Sequence, residues 1–202
     1  MPDTNHYTGL PVPLPGEASS GPDDFSLFRA ALGGHTVLYA TTSANRDSLY
    51  ASVPTGTLCV STSSKTIWQK TDAGWDTVYS DTGWVSLATA GWTSSDFVDN
   101  GSGYRIKNSM CYLDIRFTYN GSDLVPTSTG QVTNTKIITL PSVCNPAGRA
   151  NIHIPETLEY GVNNGSAVLY QSTNGITITT LMPNNSLIAG TNCNWNTSYY
   201  VD

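Results

Sequence analysis

Charged side chains are scarce in this chain: Asp, Glu, Lys and Arg make up 12% of its 202 residues, about half the usual share. Nine are basic and 15 acidic, a formal net charge of −6. A surface of that sign repels phosphate backbones, which excludes nucleic acid as a partner. Long apolar runs are also missing. No stretch approaches the ~18 residues needed to span a bilayer, so no membrane insertion is expected. The opening MPDTNHYTGLPVPLPG has neither the basic nor the apolar region of an export signal. Release by host lysis inside a virus particle reconciles that opening with a composition like that of extracellular β-proteins. There is no G-x-S-x-G, H-E-x-x-H, P-loop or G-x-G-x-x-G pattern, so no cofactor is expected. His6, His35 and His153 lie in three separate segments and suggest neither a metal site nor a catalytic triad. Cys59, Cys111, Cys144 and Cys193 are widely spaced and form no C-x-x-C pair, which argues against a zinc site. They read as small buried residues, with one disulfide among Cys111, Cys144 and Cys193 left open.

Thr, Ser and Asn together account for 65 residues, accompanied by 18 Gly and 11 Pro. This composition favours strands and turns and excludes a helical bundle or coiled coil. The 39% hydrophobic content is enough to bury a core and too high for a disordered chain. A mainly β protein is expected, in three parts.

Residues 1–32 read as an extended arm followed by a short helix. In Leu10-Pro11-Val12-Pro13-Leu14-Pro15 the prolines fix φ and remove donors, which makes the segment extended. Phe25, Phe28 and Leu32 share one face of a helix over residues 23–32 that is too short to be stable alone. These nine residues are the candidate anchoring set. Residues 33–80 read as a small β module. Its strands are predicted at His35–Thr41, Thr57–Ser61, Thr66–Lys70 and Trp75–Tyr79, with a helical turn or two over residues 43–50. The last three strands form a meander. Residues 81–202 read as an antiparallel sandwich of jelly-roll-like topology. Strands are predicted at Gly83–Leu87, Tyr104–Lys107, Met110–Tyr119, Thr135–Leu140, Ala150–Ile154, Ala167–Gln171 and Ile176–Met182. In Met110–Tyr119, Cys111, Leu113, Ile115 and Phe117 alternate with polar residues, giving one buried and one wet face. Asn-Gly pairs at Asn100, Asn120, Asn164 and Asn174 predict turns.

Catalytic chemistry finds little support. A glycosidase needs two carboxylates across a cleft. Glu156 and Glu159, the one close Glu pair, lie in a stretch that reads as a solvated loop. No catalytic or metal residue is assigned. Four of the five tryptophans fall between residues 68 and 92; with Asp72, Asp76 and Asp81 nearby, this suits either sugar binding or turn chemistry. Indole faces stack on sugar rings while Asn side chains bond hydroxyls. Asn194, Trp195, Asn196, Tyr199 and Tyr200 show that mixture and form the candidate glycan-binding set, the competing reading being that the aromatics pack inside. The Asn-x-Ser sequons at Asn100, Asn120, Asn164, Asn184 and Asn196 are expected by chance in such a chain.

Three ordered pieces resemble known phage proteins. The opening Tyr7-Thr8-Gly9-Leu10-Pro11-Val12-Pro13-Leu14-Pro15-Gly16-Glu17, followed by Gly21-Pro22-Asp23-Asp24-Phe25, is similar to the start of minor tail proteins of tailed phages infecting actinobacteria. Ala44-Asn45-Arg46-Asp47, Gly56-Thr57-Leu58-Cys59-Val60, Ile67-Trp68-Gln69-Lys70-Thr71 and Gly74-Trp75 resemble a small module of phage fibre and tail proteins. Ile138-Thr139-Leu140-Pro141-Ser142-Val143-Cys144-Asn145-Pro146-Ala147 is similar to the strand-to-loop signature of fibre-tip sandwiches. The resemblance implies a non-enzymatic virion structural protein, a short tail fibre or minor tail protein. It implies a homotrimer made in the host cytoplasm, anchored to other tail or capsid proteins by its arm. Its β-domain would face outward towards a host-surface glycan. With no collagen, heptad or β-helix repeat, the chain has no shaft. A capsid decoration or head fibre is the first alternative, a stand-alone carbohydrate-binding module the second, and a cell-wall hydrolase the third.

Overall fold

The structure, a computed structural model, describes residues 3–4, 11–12, 37–148 and 152–201. Two short strands, β1 (Asp3–Thr4) and β2 (Pro11–Val12), pair antiparallel. The helix expected over residues 23–32 and its Phe25, Phe28 and Leu32 lie outside the described residues. The remainder falls into two compact units divided between Ser80 and Asp81.

Unit 1 contains β3 (Val37–Ala40), helix α1 (Ser43–Leu49), β4 (Leu58–Ser61), β5 (Lys65–Thr71) and β6 (Gly74–Asp81, its last residue in unit 2). Their order in the sheet is β3-β4-β5-β6. β4 and β5 form the expected antiparallel pair. β3 joins in parallel, Val37 opposite Leu58 and Ala40 opposite Ser61, because the connection through α1 is long enough for a crossover. α1 is capped reciprocally. Thr42 Oγ1 accepts from the Asn45 N–H at 3.1 Å, and Asn45 Oδ1 accepts from the Thr41 N–H at 3.2 Å. Seven residues cannot hold a helix in water, and Arg46 supplies the tertiary anchor. Its guanidinium lies over Trp68 at 4.7 Å and Trp75 at 5.2 Å and is fixed by Asp47 at 2.6 Å. Among the described residues of the unit, Ala40, Cys59 and Trp68 are the buried apolar cluster. Val37, Tyr39 and Leu58 on the sheet remain exposed.

Unit 2 contains β7 (Val85–Ser86), β8 (Gly91–Trp92), β9 (Phe97–Asp99), β10 (Gly103–Lys107) and β11 (Met110–Tyr119). They are followed by β12 (Gln131–Thr139), β13 (His153–Tyr160), β14 (Asn163–Tyr170), β15 (Gly175–Thr180) and β16 (Thr191–Tyr200). It is a mainly β, antiparallel sandwich, as composition and alternation predict. The ladder runs β10-β11-β16-β13-β14-β15-β12-β8. β7 pairs with β10, and β9 with the far half of β11. The ladder folds back over one core, where Trp92 of β8 meets Phe117 of β11 at 6.2 Å between ring centroids. Alternation in β11 sends Cys111, Leu113, Ile115, Phe117 and Tyr119 inward. In β12 the consecutive Ile137 and Ile138 are both buried. A register shift between Lys136 and Ile138 breaks the two-residue alternation there. All four cysteines are buried thiols. Burial pushes Cys193 up to about 12. Cys144 is also raised, first by its hydrogen bond with Cys111 and then by burial.

Three expectations need correction. β13 runs to Tyr160, so the Glu156–Glu159 stretch is strand, not loop. Asn164-Gly165 lies inside β14; the turn is at Gly161-Val162. Gly165 is there because of close approach: a Cβ would come 2.4 Å from the Thr180 carbonyl oxygen of β15. The two-residue hairpin from β10 to β11 turns on Asn108 and Ser109 at φ 49° and 60°, a geometry that ordinarily selects glycine. Finally, β16 was not among the expected strands, yet it pairs with β11 along all ten of its residues.

Candidate functional site

β16 decides the fate of the predicted glycan set. Its odd positions face the core, so Trp195 is 0% exposed, its Nε1–H donating to the Ala167 carbonyl at 3.1 Å. Tyr199 is buried too, its hydroxyl donating to the Cys144 carbonyl at 2.6 Å. These two aromatics are core residues, not ligand platforms. The physical reason is the two-residue period, which separates them from their neighbours. Asn196 is exposed, Asn194 half-buried and Tyr200 65% exposed; all three stand on the outer face. In the arm, Pro11 and Val12 form β2. Leu10, Pro13, Leu14 and Pro15 lie outside the described residues.

The unit 1 aromatics are committed as well. Trp68 and Trp75 hold Arg46, and Asp72 accepts from the Thr55 hydroxyl at 2.8 Å. The residues that carry the phage-module resemblance thus build the core of unit 1: Arg46, Cys59, Trp68 and Trp75. Trp92 donates its Nε1–H to the Leu87 carbonyl at 3.0 Å. Trp84 is different, with 59% of its surface exposed. It precedes β7, and its ring lies beside Gly103 of β10. A Cβ on Gly103 would meet Trp84 Cε3 at 3.5 Å and the Val85 carbonyl oxygen at 3.0 Å.

Cross-strand register builds a polar face beside this indole. Ser86, Gly103, Asp114 and Asn196 lie in one row across β7, β10, β11 and β16. Arg105, Tyr112 and Ser198 form the next row, and Arg116, Asn194 and Glu159 another. Asp114 takes two bonds from Arg116, at 2.9 Å from Nε and 2.6 Å from Nη2. The Asn196 amide donates to Asp114 Oδ1 at 2.8 Å. Arg105 is held the same way by Asp81, at 2.9 and 2.5 Å. The floor is rigid: Ser102, buried, bonds both the N–H and the carbonyl of Arg116 at 2.9 and 2.7 Å.

Two open hollows meet at Trp84 and Asp114. One, of about 440 Å³, lies against Ser86 and Gly101–Gly103. The other, of about 460 Å³, lies against Tyr112, Glu156 and Asn196–Ser198. The second exists because β13 and β16 pair only from Tyr160↔Cys193 to Leu158↔Trp195 and then leave the ladder. Glu156 stands where the pairing has stopped and accepts from the Thr197 hydroxyl at 3.3 Å. Glu156 and Glu159, three apart on a strand, point to opposite faces and do not flank one cleft. His153 is exposed on β13 with its ring edge-on to Tyr170 at 4.6 Å. Among the described residues no group of three His, Cys, Asp or Glu side chains is placed to hold a metal.

Chemically, this face offers a rigid aromatic platform with hydroxyl, amide and carboxylate groups around it, the recognition set of a saccharide site. Of the predicted set, Asn196 lines it. Trp84, Tyr112, Asp114 and Glu156 were missed. The alternation of β11 already places Tyr112 and Asp114 on its wet face, but nothing local ties them to Trp84.

The chain matches no protein-family model and no curated protein sequence. Among solved structures it is similar to the head domain of phage bIL170, a crystal structure described in connection with a common fold for the receptor-binding domains of lactococcal phages. That likeness has 16% identity and a TM-score of 0.40 over 59% of this chain and 98% of that one.

Proposed function

We propose that this chain is a non-enzymatic phage virion protein that attaches to a host-surface saccharide through unit 2. The observation that carries the binding role is Trp84, exposed over Gly103 between two hollows lined by Tyr112, Asp114, Glu156 and Asn196. The indole face stands beside hydroxyl, amide and carboxylate groups, the combination that stacks on a sugar ring and bonds its hydroxyls. The virion role rests on the ordered resemblance of residues 7–150 to tail and fibre proteins. A weakly charged Thr/Ser/Asn surface suits a particle that persists outside cells. Glu156 and Glu159 point to opposite faces of β13 and do not work as a pair across one cleft, which supports binding without cleavage. The arm, with Leu10, Pro11, Val12, Pro13, Leu14 and Pro15, anchors the chain to tail or capsid neighbours together with Phe25, Phe28 and Leu32. Three copies assemble.

The direct test is binding of the purified chain to host cell-wall saccharide. Trp84→Ala is expected to weaken it at least about tenfold, since loss of one stacking residue at an interface costs upwards of ~1.4 kcal/mol. Unchanged binding overturns the site. Light scattering should give the mass of three chains; a stable monomer would favour a stand-alone carbohydrate-binding module. Deleting residues 1–32 should abolish incorporation into particles, and normal incorporation would sink the anchoring role.

A further inference from the structure

Charge decides which saccharide this face accepts. Its basic side chains are already engaged. Arg116 is held by both oxygens of Asp114, and Arg105 by both oxygens of Asp81. Each ion pair is neutral, and a ligand anion would have to displace a carboxylate that has two charge-assisted bonds. Glu159 ends the row that starts at Arg116. Glu156 differs: it lines the hollow with Trp84, it accepts from the neutral hydroxyl of Thr197, and among the described residues it forms no ion pair within 4 Å. The hollow therefore presents an indole face, hydroxyl and amide groups, and one carboxylate without a basic partner. The whole chain carries −6, so the wider field has the same sign.

We propose that the hollow selects an amine-bearing saccharide, its ring on Trp84 and its ammonium on Glu156. This rests on the saccharide reading of the same face and adds the ligand's charge. A phosphodiester- or carboxylate-bearing glycan finds no unengaged cation here and meets Glu156. An N-acetylated sugar can stack equally well but leaves Glu156 without a counter-charge. The preference for the amine is modest, because the carboxylate is exposed and the pair is screened by salt.

The experiment is calorimetric titration of the full chain with glucosamine oligomers, their N-acetylated counterparts and galacturonate oligomers, at about pH 6 and low ionic strength. The amine form is expected to bind about threefold tighter than the acetylated form, and the galacturonate weakest. Added salt should shrink the amine preference, and Glu156→Gln should bring the two glucosamine affinities together. Trp84→Ala should weaken both. If the acetylated form binds as well as the amine, if galacturonate binds best, or if the preference survives Glu156→Gln, charge selection is wrong while the saccharide site stands. If no oligomer binds, the saccharide reading falls and this inference with it.

Discussion

Among its described residues unit 1 closes around three buried apolar side chains, Ala40, Cys59 and Trp68, whereas unit 2 closes around 23. The same residue type serves the two differently. Unit 1 has too little core to hold a seven-residue helix, so Trp68 and Trp75 are turned onto Arg46 and the cation becomes part of the packing. In unit 2, Trp92 packs against the core and Trp195 lies within it, and the sheet needs nothing from Trp84. A tryptophan that the fold does not use is available for a ligand.

Emptying the larger core should have the largest effect. Trp195→Ala removes a fully buried indole and its bond to Ala167. It should cost about 3–5 kcal/mol, read as a large drop in the unfolding temperature of unit 2 with unit 1 unmoved. A small change would mean that the core repacks and that Trp195 is not its centre.

Next is Arg46→Ala, which leaves two indole faces without their cation. About 2 kcal/mol should be lost, confined to unit 1. Arg46→Lys should recover only part of it, because an ammonium lacks the planar fork that Asp47 grips. Full recovery by lysine would reduce the role of the stack to simple charge.

Alkali should separate the units further. Burial raises Tyr104, Tyr119, Tyr160 and Tyr199 in unit 2, and raises Cys193 to about 12; unit 1 has Cys59, raised by burial against the opposing pull of Arg46. These groups stay protonated in the fold but ionise in the unfolded chain from their ordinary values of 9.0 and 10.0. The unfolded state then binds fewer protons, so stability is intact below pH ~9 and falls as pH rises towards ~12. For Cys193 the slope is about 1.4 kcal/mol per pH unit between its unfolded value and about 12. Unfolding temperatures measured across that range should drop faster for unit 2. Equal slopes would contradict the deeper burial of its tyrosines and thiols.

Smallest of all is the stability effect of Trp84→Ala, within about 0.5 kcal/mol, as expected of an exposed side chain that the core does not need. Since the same substitution should abolish most saccharide affinity, a large stability loss would place Trp84 among the structural aromatics and remove the contrast between the units.

Much of this architecture was legible beforehand. Alternation over Cys111–Phe117 announced a half-buried strand, and β3 to β6 fall close to their expected positions. β16 escaped because Asn192-Cys193-Asn194-Trp195-Asn196 alternates with asparagine, a residue of low strand propensity, and its cross-strand partners are some 80 residues away in sequence. The same strand hid the site. Trp195 looked like a ligand platform by composition, and only its parity on β16 put it inside.

What the chain's own residues determined was the class of structure: few charges, many Thr, Ser and Asn, and period-two apolar patterning can bury a core only as sheets. The cation–aromatic stack of Arg46 on Trp68 and Trp75 came only with the tertiary fold of unit 1. Only tertiary structure builds the candidate face. Trp84, Asp114, Glu156 and Asn196 come from four separate segments: cross-strand register sets Asp114 beside Asn196, and Glu156 joins them where β13 parts from β16. Local sequence carries no record of register, because it is set by how distant strands share one core.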